Sequence, residues 1–313
     1  GGSGVHFSVS PVGNEPWREM QAEMWSSLTK GLDFVWVSLL YLPWALGSWL
    51  ITIQRALAGS GGTLSESQTV AIRAEVTEFK NHVGHCYDSS MVEHEALLRS
   101  LWDLCFPERP LPGRHGKHWG DLGFQGKDPA TDFRGAGVFG LSNLVYLARS
   151  FPHRAQLMAG EARQYPFALA GLQVTNLIFE MLGFGMVPNK DGALQQSVAS
   201  LIFVRREAAG GGEEDPLLSP NAPHGSPVCA HMSGELFQDP PREVVRSIWA
   251  FNEVFCFIFF ALDRRWESDA KGSSGVDYFL HFPPVMQNTK EEVSHILRRG
   301  ITLQQIVHAN RQS

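Results

Sequence analysis

Strand signals are scarce in this 313-residue chain: few Val/Thr alternations occur, and no Asn-Gly dipeptide marks a hairpin. That shortage excludes a β-sandwich or barrel and leaves an all-α, multi-helix fold. Cysteine is sparse too, with four residues at 86, 105, 229 and 256 and no CxxC pair. A disulfide scaffold is excluded, and such usage suits a reducing compartment. Basic runs with interleaved aromatics are absent and the formal charge is −6, which excludes a nucleic-acid binder. No nucleophile, base and orienter stand together, so the chain is not read as an intrinsic hydrolase or other enzyme. His82, His85 and Cys86 form the one compact set of soft ligands and are read as ordinary surface residues, because no fourth ligand accompanies them. No metal and no cofactor is expected in the chain.

The chain does hold a large apolar inventory, 43% hydrophobic residues with 20 Phe and 9 Trp, enough for a well-filled interior. Gly1 to Pro16 reads as a truncated or processed, mobile end, and Trp17 to Leu32 as an amphipathic helix. Phe34 to Ile53 is a run of twenty residues without a charge. Its length reaches the threshold for a membrane span. Pro43 and Gly47 interrupt it, however, and tryptophans at 36, 44 and 49 are spread along it rather than gathered at two ends. Three readings fit: a buried core helix, a helix lying in the membrane surface, or a span. It is not a signal peptide, being far from the start and without a basic lead.

Helical periodicity then recurs. Thr63 with Glu66 and Ser90 with Glu93 read as capping boxes. They open helices with apolar stripes Ile72, Val76, Phe79, Val83 and Leu97, Leu98, Leu101, Cys105. Pro107 to Gly116 is a loop, whose Arg109 and Arg114, with Lys117 and His118, read as a solvated basic surface or as a ring around a site. Arg154 to Gln164 reads as a short helix, and Phe167 to Leu182 as a longer one, apolar nearly all round and hence central. Ala193 to Arg206 is a further helix. Residues 207–241, rich in Gly, Pro and acids, read as a flexible inserted loop. The stripe Val245, Ile248, Phe251, Phe255, Phe259 marks a core helix within Arg242 to Trp266. Pro283 and Pro284 lead into a closing helix from Val285 to Arg299, and a tail of 301–313 follows.

One stretch is not generic. Between Trp119 and Leu147 lie Gly123, Phe124, Gln125, Gly126, Pro129, Thr131, Asp132, Phe133, Arg134, Gly135, Gly137 and Gly140, followed by an apolar helical run. Gly135-x-Gly137-x-x-Gly140 matches the bare dinucleotide fingerprint. No buried strand precedes it, though, and no acid follows before Glu161, so the nucleotide reading fails. The glycines instead allow close approach to a helix whose face carries Gly137, Leu141, Leu144 and Ala148. Asp132 is read as the N-cap of that helix. Arg134 is the oddity, since a cation at a helix start meets the positive end of the macrodipole. Spacing alone leaves two readings open: an Arg folded back onto Asp132 or Asp128, or an Arg held for a partner.

The run Trp119-x-x-x-Gly123-Phe124-Gln125-Gly126-x-x-Pro129-x-Thr131-Asp132-Phe133-Arg134-Gly135-x-Gly137 resembles the signature of the ELMO domain, more closely that of ELMO domain-containing proteins. The likeness continues through Asn143, Leu144, Tyr146 and Tyr165-x-x-Ala168-x-x-Gly171-x-x-x-Thr175, with Gln173 where the family carries Asn, and covers about Glu93 to Leu297. It implies an ELMO domain over 63–300 behind an N-terminal helical extension, 1–62. It also implies a GTPase-activating protein for an Arf-family or Arf-like small GTPase in its GTP form. Arg134 would be the arginine finger acting in trans, and Trp119, Gly123, Phe124, Gln125, Gly126, Pro129, Thr131, Asp132, Gly135 and Gly137 its supporting loop. The branch that works with DOCK-type exchange factors for Rac lacks the matching arginine. The rival expectation is a non-catalytic scaffold in Rac-type signalling, with cytoskeletal or membrane-traffic roles. The resemblance implies a cytoplasmic place, with peripheral membrane contact through Phe34 to Ile53 as one option, and any Mg²⁺ belonging to the partner.

Overall fold

Burial of one long apolar helix sets the arrangement of the others. The computed structural model describes residues 66–160, 163, 165–184, 191–203, 242–270 and 278–312, all within the compact unit Leu50–Ser313. The readings of Trp17 to Leu32, Phe34 to Ile53 and Thr63, and of the insertion at 207–241, fall outside the described residues. In chain order the helices are α1 Glu66–Val83, α2 Val92–Cys105, α3 Gly137–Ser150, α4 Pro152–Ala159, α5 Phe167–Leu182, α6 Gly192–Phe203, α7 Arg242–Ala270, α8 Tyr278–Arg298 and α9 Leu303–Gln312. Two 3-10 helices, Lys117–Leu122 and Pro129–Arg134, sit between α2 and α3. No strand occurs among the described residues, and the fold is all-α.

Helix α7 packs against α1, α3, α5, α6, α8 and α9. By length and composition it could cross a bilayer, yet 83% of its most apolar window is buried inside the protein, as in a core helix. Phe251 meets Phe79 of α1 (6.0 Å), Phe139 of α3 (5.0 Å) and Phe179 of α5 (5.6 Å), so four helices share one aromatic cluster. Each fully buried Phe contributes about 1.5–3 kcal/mol by leaving water. Val76, Phe79, Val83, Leu97, Leu98, Leu101 and Cys105 are all buried, as their spacing predicts.

Three local readings are corrected. Ser90 does not cap α2: the N-cap is Met91 without a side-chain bond, and the carboxylate of Asp88 instead accepts from the Ser90 amide (2.8 Å). The acceptor two residues upstream wins because it closes an Asx-type turn. Pro283 and Pro284 do not precede a helix but lie inside α8. Both are exposed, so carbonyls left without an N–H can take water, while Phe282 and Val285 are buried and hold the turn. The short helix expected over Arg154 to Gln164 runs instead from Pro152 to Ala159.

The tail is docked rather than free. On α9, Ile306 is fully buried, and the Asn310 amide donates to the backbone carbonyl (2.9 Å) and to Oε2 (2.8 Å) of Glu253. Glu253 itself is fully buried on α7 and also accepts from the Tyr146 hydroxyl (2.7 Å). A carboxylate taken out of water needs every one of these donors.

The start of α3 is fixed by a backbone contact. Gly137 has φ 60°, and a Cβ there would lie 2.3 Å from the His85 carbonyl oxygen, which accepts from the Val138 amide (3.1 Å). Only glycine combines that left-handed conformation with that approach.

Two stability predictions follow from these contacts. Asn310→Ala removes the donors to a buried carboxylate and lowers the unfolding free energy by about 2–3 kcal/mol. Arg311→Ala, which loses a longer bond to Glu253 from an exposed position, costs clearly less; equal urea-melt losses for the two would deny Asn310 the leading part. Gly137→Ala lowers it by more than about 1 kcal/mol, whereas Gly192→Ala, where a Cβ meets nothing within 4 Å, leaves the urea midpoint close to wild type.

Candidate functional site

Arg134 is the last residue of the 3-10 helix Pro129–Arg134 and is exposed. The turn begins at Asp128, whose Oδ1 accepts from the Ala130 amide (3.0 Å), with Pro129 buried in the first position, where its missing N–H costs nothing. Asp128, then, is the cap, and the reading of Asp132 as N-cap of the following helix is corrected: α3 starts at Gly137 behind Ala136, with no side-chain cap. Asp132 turns the other way, and its Oδ2 accepts from the Gln125 amide (2.8 Å). The difference is physical, since the tight 3-10 turn brings Asp132 back to the Gln125 strap before α3 opens. Thr131 reinforces the turn by donating to the Asp128 carbonyl (2.9 Å).

Arg114, from the loop ahead of the signature, reaches into this turn. Its Nη1 donates to Asp128 Oδ1 (2.8 Å), and its Nε side pairs with Glu95 of α2. Glu95 also accepts from the Tyr87 hydroxyl (2.8 Å). Tyr87 in turn stacks on Phe133, the neighbour of Arg134, at 4.6 Å. The loop arginines are therefore not one solvated set: Arg109 pairs with Asp121 at the surface, whereas Arg114 is part-buried between two carboxylates.

Beneath the turn runs an aromatic ladder. Phe133 meets Phe124 (5.6 Å), Phe124 meets Trp119 (5.8 Å), and Trp119 meets Trp102 of α2 (5.4 Å). Trp119 is fully buried and its indole N–H donates to the Arg114 carbonyl (2.8 Å). Gly123, at φ 94°, lies so close to α5 that a Cβ would come within 2.4 Å of the Pro166 carbonyl carbon. Gly135 faces Asn176 of α5, whose amide would be 3.1 Å from an added Cβ. Gly126 and Gln125 are exposed; Gln125 takes part through its backbone. The supporting residues predicted from the sequence thus come together around one turn, with Trp119, Phe124 and Phe133 as its floor.

Electrostatics separate the two aspartates. Burial pushes the Asp132 carboxyl above the usual carboxylate range, while the Gln125 amide, Thr131 and the positive charge of Arg134 partly offset it. At Asp128 burial acts in the same sense but is outweighed by the Ala130 amide and Arg114, and its carboxyl falls below that range. The charge of Arg134 thus acts on Asp132, whereas the direct partner of Asp128 is Arg114. Chemically, the arrangement offers an always-charged guanidinium at the tip of a turn fixed at its cap, its floor and its exit.

Among the described residues no group of three or more His, Cys, Asp or Glu could hold a metal ion. His82 is buried, while His85 and Cys86 are exposed beside the start of α3. Sequence reasoning missed Tyr87, Glu95 and the bridging part of Arg114. The one signal available was an unpaired-looking Glu three residues inside a helix start, which is too common to single out.

The other signature positions tie helices to one another. The Asn143 amide donates to the Thr175 hydroxyl (3.1 Å), and the Tyr165 hydroxyl donates to Asp263 (3.1 Å). A Cβ on Gly171 would lie 2.4 Å from Leu144. These residues therefore lock α3, α5 and α7 together.

Against known proteins, the model of the ELMO/CED-12 family matches residues 77–280. The chain is similar to ELMO domain-containing protein B of Dictyostelium discoideum, 41% identical over 99 residues, covering 31% of this chain and 35% of that protein. It is likewise similar to ELMO domain-containing protein 2 of Bos taurus, 40% identical over 100 residues, 31% of this chain and 34% of that one. ELMO domain-containing protein A of Dictyostelium discoideum is 28% identical over 209 residues, 65% of this chain and 18% of its own. The matched part spans about a third of the length of the first two of these curated relatives. No solved structure matches. Since the family match runs from within α1 to the start of α8, and so takes in the arginine turn with every helix that supports it, the chain belongs to the ELMO/CED-12 family.

Proposed function

We propose that this protein accelerates GTP hydrolysis by an Arf-family or Arf-like small GTPase, into whose nucleotide site Arg134 reaches as an arginine finger. The observation that carries the reading is the placing of Arg134: exposed, at the end of a short helix whose cap, floor and exit are all tied to the core. Membership of the ELMO/CED-12 family supports a GTPase-related role.

The chemistry asks little else of the chain. In the transition state of phosphoryl transfer charge spreads over the phosphoryl oxygens, and a guanidinium inserted from outside neutralises it. The planar fork makes two parallel bonds to oxygen and keeps its charge at every physiological pH. A pre-fixed turn means that little ordering is left to be done on docking. The GTPase brings its own Mg²⁺ and the residue that orients water, so the chain acts as a regulator in trans rather than through an active site of its own. The proposal places the protein in the cytoplasm, with membrane association as one option.

Single-turnover GTP hydrolysis across a panel of Arf-family GTPases tests it. Wild type stimulates at least one of them, Arg134→Ala loses about 10³-fold or more of that stimulation, and Arg134→Lys recovers little. Undiminished stimulation by both variants removes Arg134 from the chemistry. A wild type that binds a GTPase yet stimulates none of the panel makes the protein a scaffold instead.

A further inference from the structure

We propose that Arg114 is a positioning residue for Arg134: by joining Glu95 of α2 to the cap carboxylate Asp128, it sets the pose of the turn from which Arg134 projects. The proposal deepens the reading of Arg134 as a finger, and one arm of its test is independent of that reading.

The geometry gives Arg114 three fixed points. Its guanidinium binds Glu95 on one side and Asp128 on the other, and its carbonyl accepts from the buried Trp119 indole. From there two routes converge on Arg134. One runs through Asp128, which holds the first amide of the 3-10 helix at Ala130. The other runs through Glu95 and the Tyr87 hydroxyl to the Tyr87 ring, stacked on Phe133. The first route fixes the start of the six-residue turn and the second fixes its last residue but one. Two anchors on a rigid body define its tilt, and a single one would leave it free to swing.

Charge makes the bridge hard to replace. Glu95 and Asp128 come from segments 33 positions apart, 128 less 95, and both face the one guanidinium. Without it two part-buried carboxylates confront each other across the vacated space and push the cap away from α2. Lysine offers a point charge that cannot fork between two carboxylates in fixed directions. Arg114 does not reach a partner's phosphate itself, because its side chain is engaged on both sides beneath the turn. Its effect is transmitted, and a displacement of about 1 Å at a finger is worth about 10²-fold in rate.

The kinetic test is a double-variant cycle on the full chain with a GTPase that wild type stimulates. Arg114→Met keeps the aliphatic stem and removes the bridge. It lowers the saturating single-turnover rate about 10²-fold with little change in the half-saturating concentration of activator, and adds no further loss in the Arg134→Ala background. Equal losses in both backgrounds, or a loss confined to half-saturation, overturn the proposal. Asp128→Asn, which keeps a side-chain acceptor for the Ala130 amide, gives the same pattern with a smaller loss and serves if Arg114→Met does not fold. The independent arm places a nitroxide label at Arg134→Cys in a Cys86→Ser, Cys229→Ser background. Its spectrum is that of an immobilised label with Arg114 present and of a mobile one with Arg114→Met; identical spectra overturn the proposal. If Arg134→Ala alone stimulates like wild type, the finger assignment is what fails, and the label spectra then decide the positioning role by themselves.

Discussion

The burial of α7 on every side is the constraint from which the rest of the molecule follows. On a helix of 29 residues surrounded by six others a buried polar side chain is costly unless a neighbour satisfies it, as happens at Ser247, Glu253 and Asp263 but not at Asn252. Its buried polar positions therefore choose the neighbours. Glu253 brings Tyr146 of α3 and Asn310 of α9; Asp263 brings Tyr165 and Arg163; Ser247 donates toward Glu75 of α1 and the Ile202 carbonyl of α6. Apolar area supplies the stability, and these few directional contacts select one arrangement of helices among the many that would bury similar area.

The arginine turn packs against α3 and is built by different means. No large apolar face is available to six residues of 3-10 helix, so the turn is held by an aromatic floor, a capped start and two glycine contacts that let backbones meet. Gly123 touches the start of α5, and Gly137 touches the His85 carbonyl behind α1. Each of the two joins the loop to a helix that packs on α7 or its neighbours. Precision at the tip is thus inherited from the core through short contacts rather than through the loop's own stability.

Within this frame the contrast between the two aspartates is instructive. Both precede Arg134 by a few residues and both are ready ion-pair partners on spacing grounds. Asp128 is taken by Arg114 and by the helix cap, which lowers its pKa, while Asp132 is spent on a backbone amide in a desolvated corner, which raises its own. At Asp128 the part-buried Arg114 guanidinium and the Ala130 amide act together, whereas at Asp132 the Gln125 amide is the direct partner.

The helical class and the apolar stripes of α1, α2, α3, α5 and α7 were legible in the sequence from spacing, while the grouping of residues 119–137 as one loop rested on the family resemblance. Hydrophobic spacing and glycine positions are local properties, and a helix or a tight turn answers to them directly. Only the tertiary structure decided which acid caps the turn, that Pro283 and Pro284 continue α8 instead of preceding it, that α9 docks on Glu253, and that Arg114 bridges Glu95 and Asp128. Those outcomes depend on which side chains meet across elements dozens of residues apart. Packing of whole helices fixes such meetings, and no periodicity within a single segment carries that information.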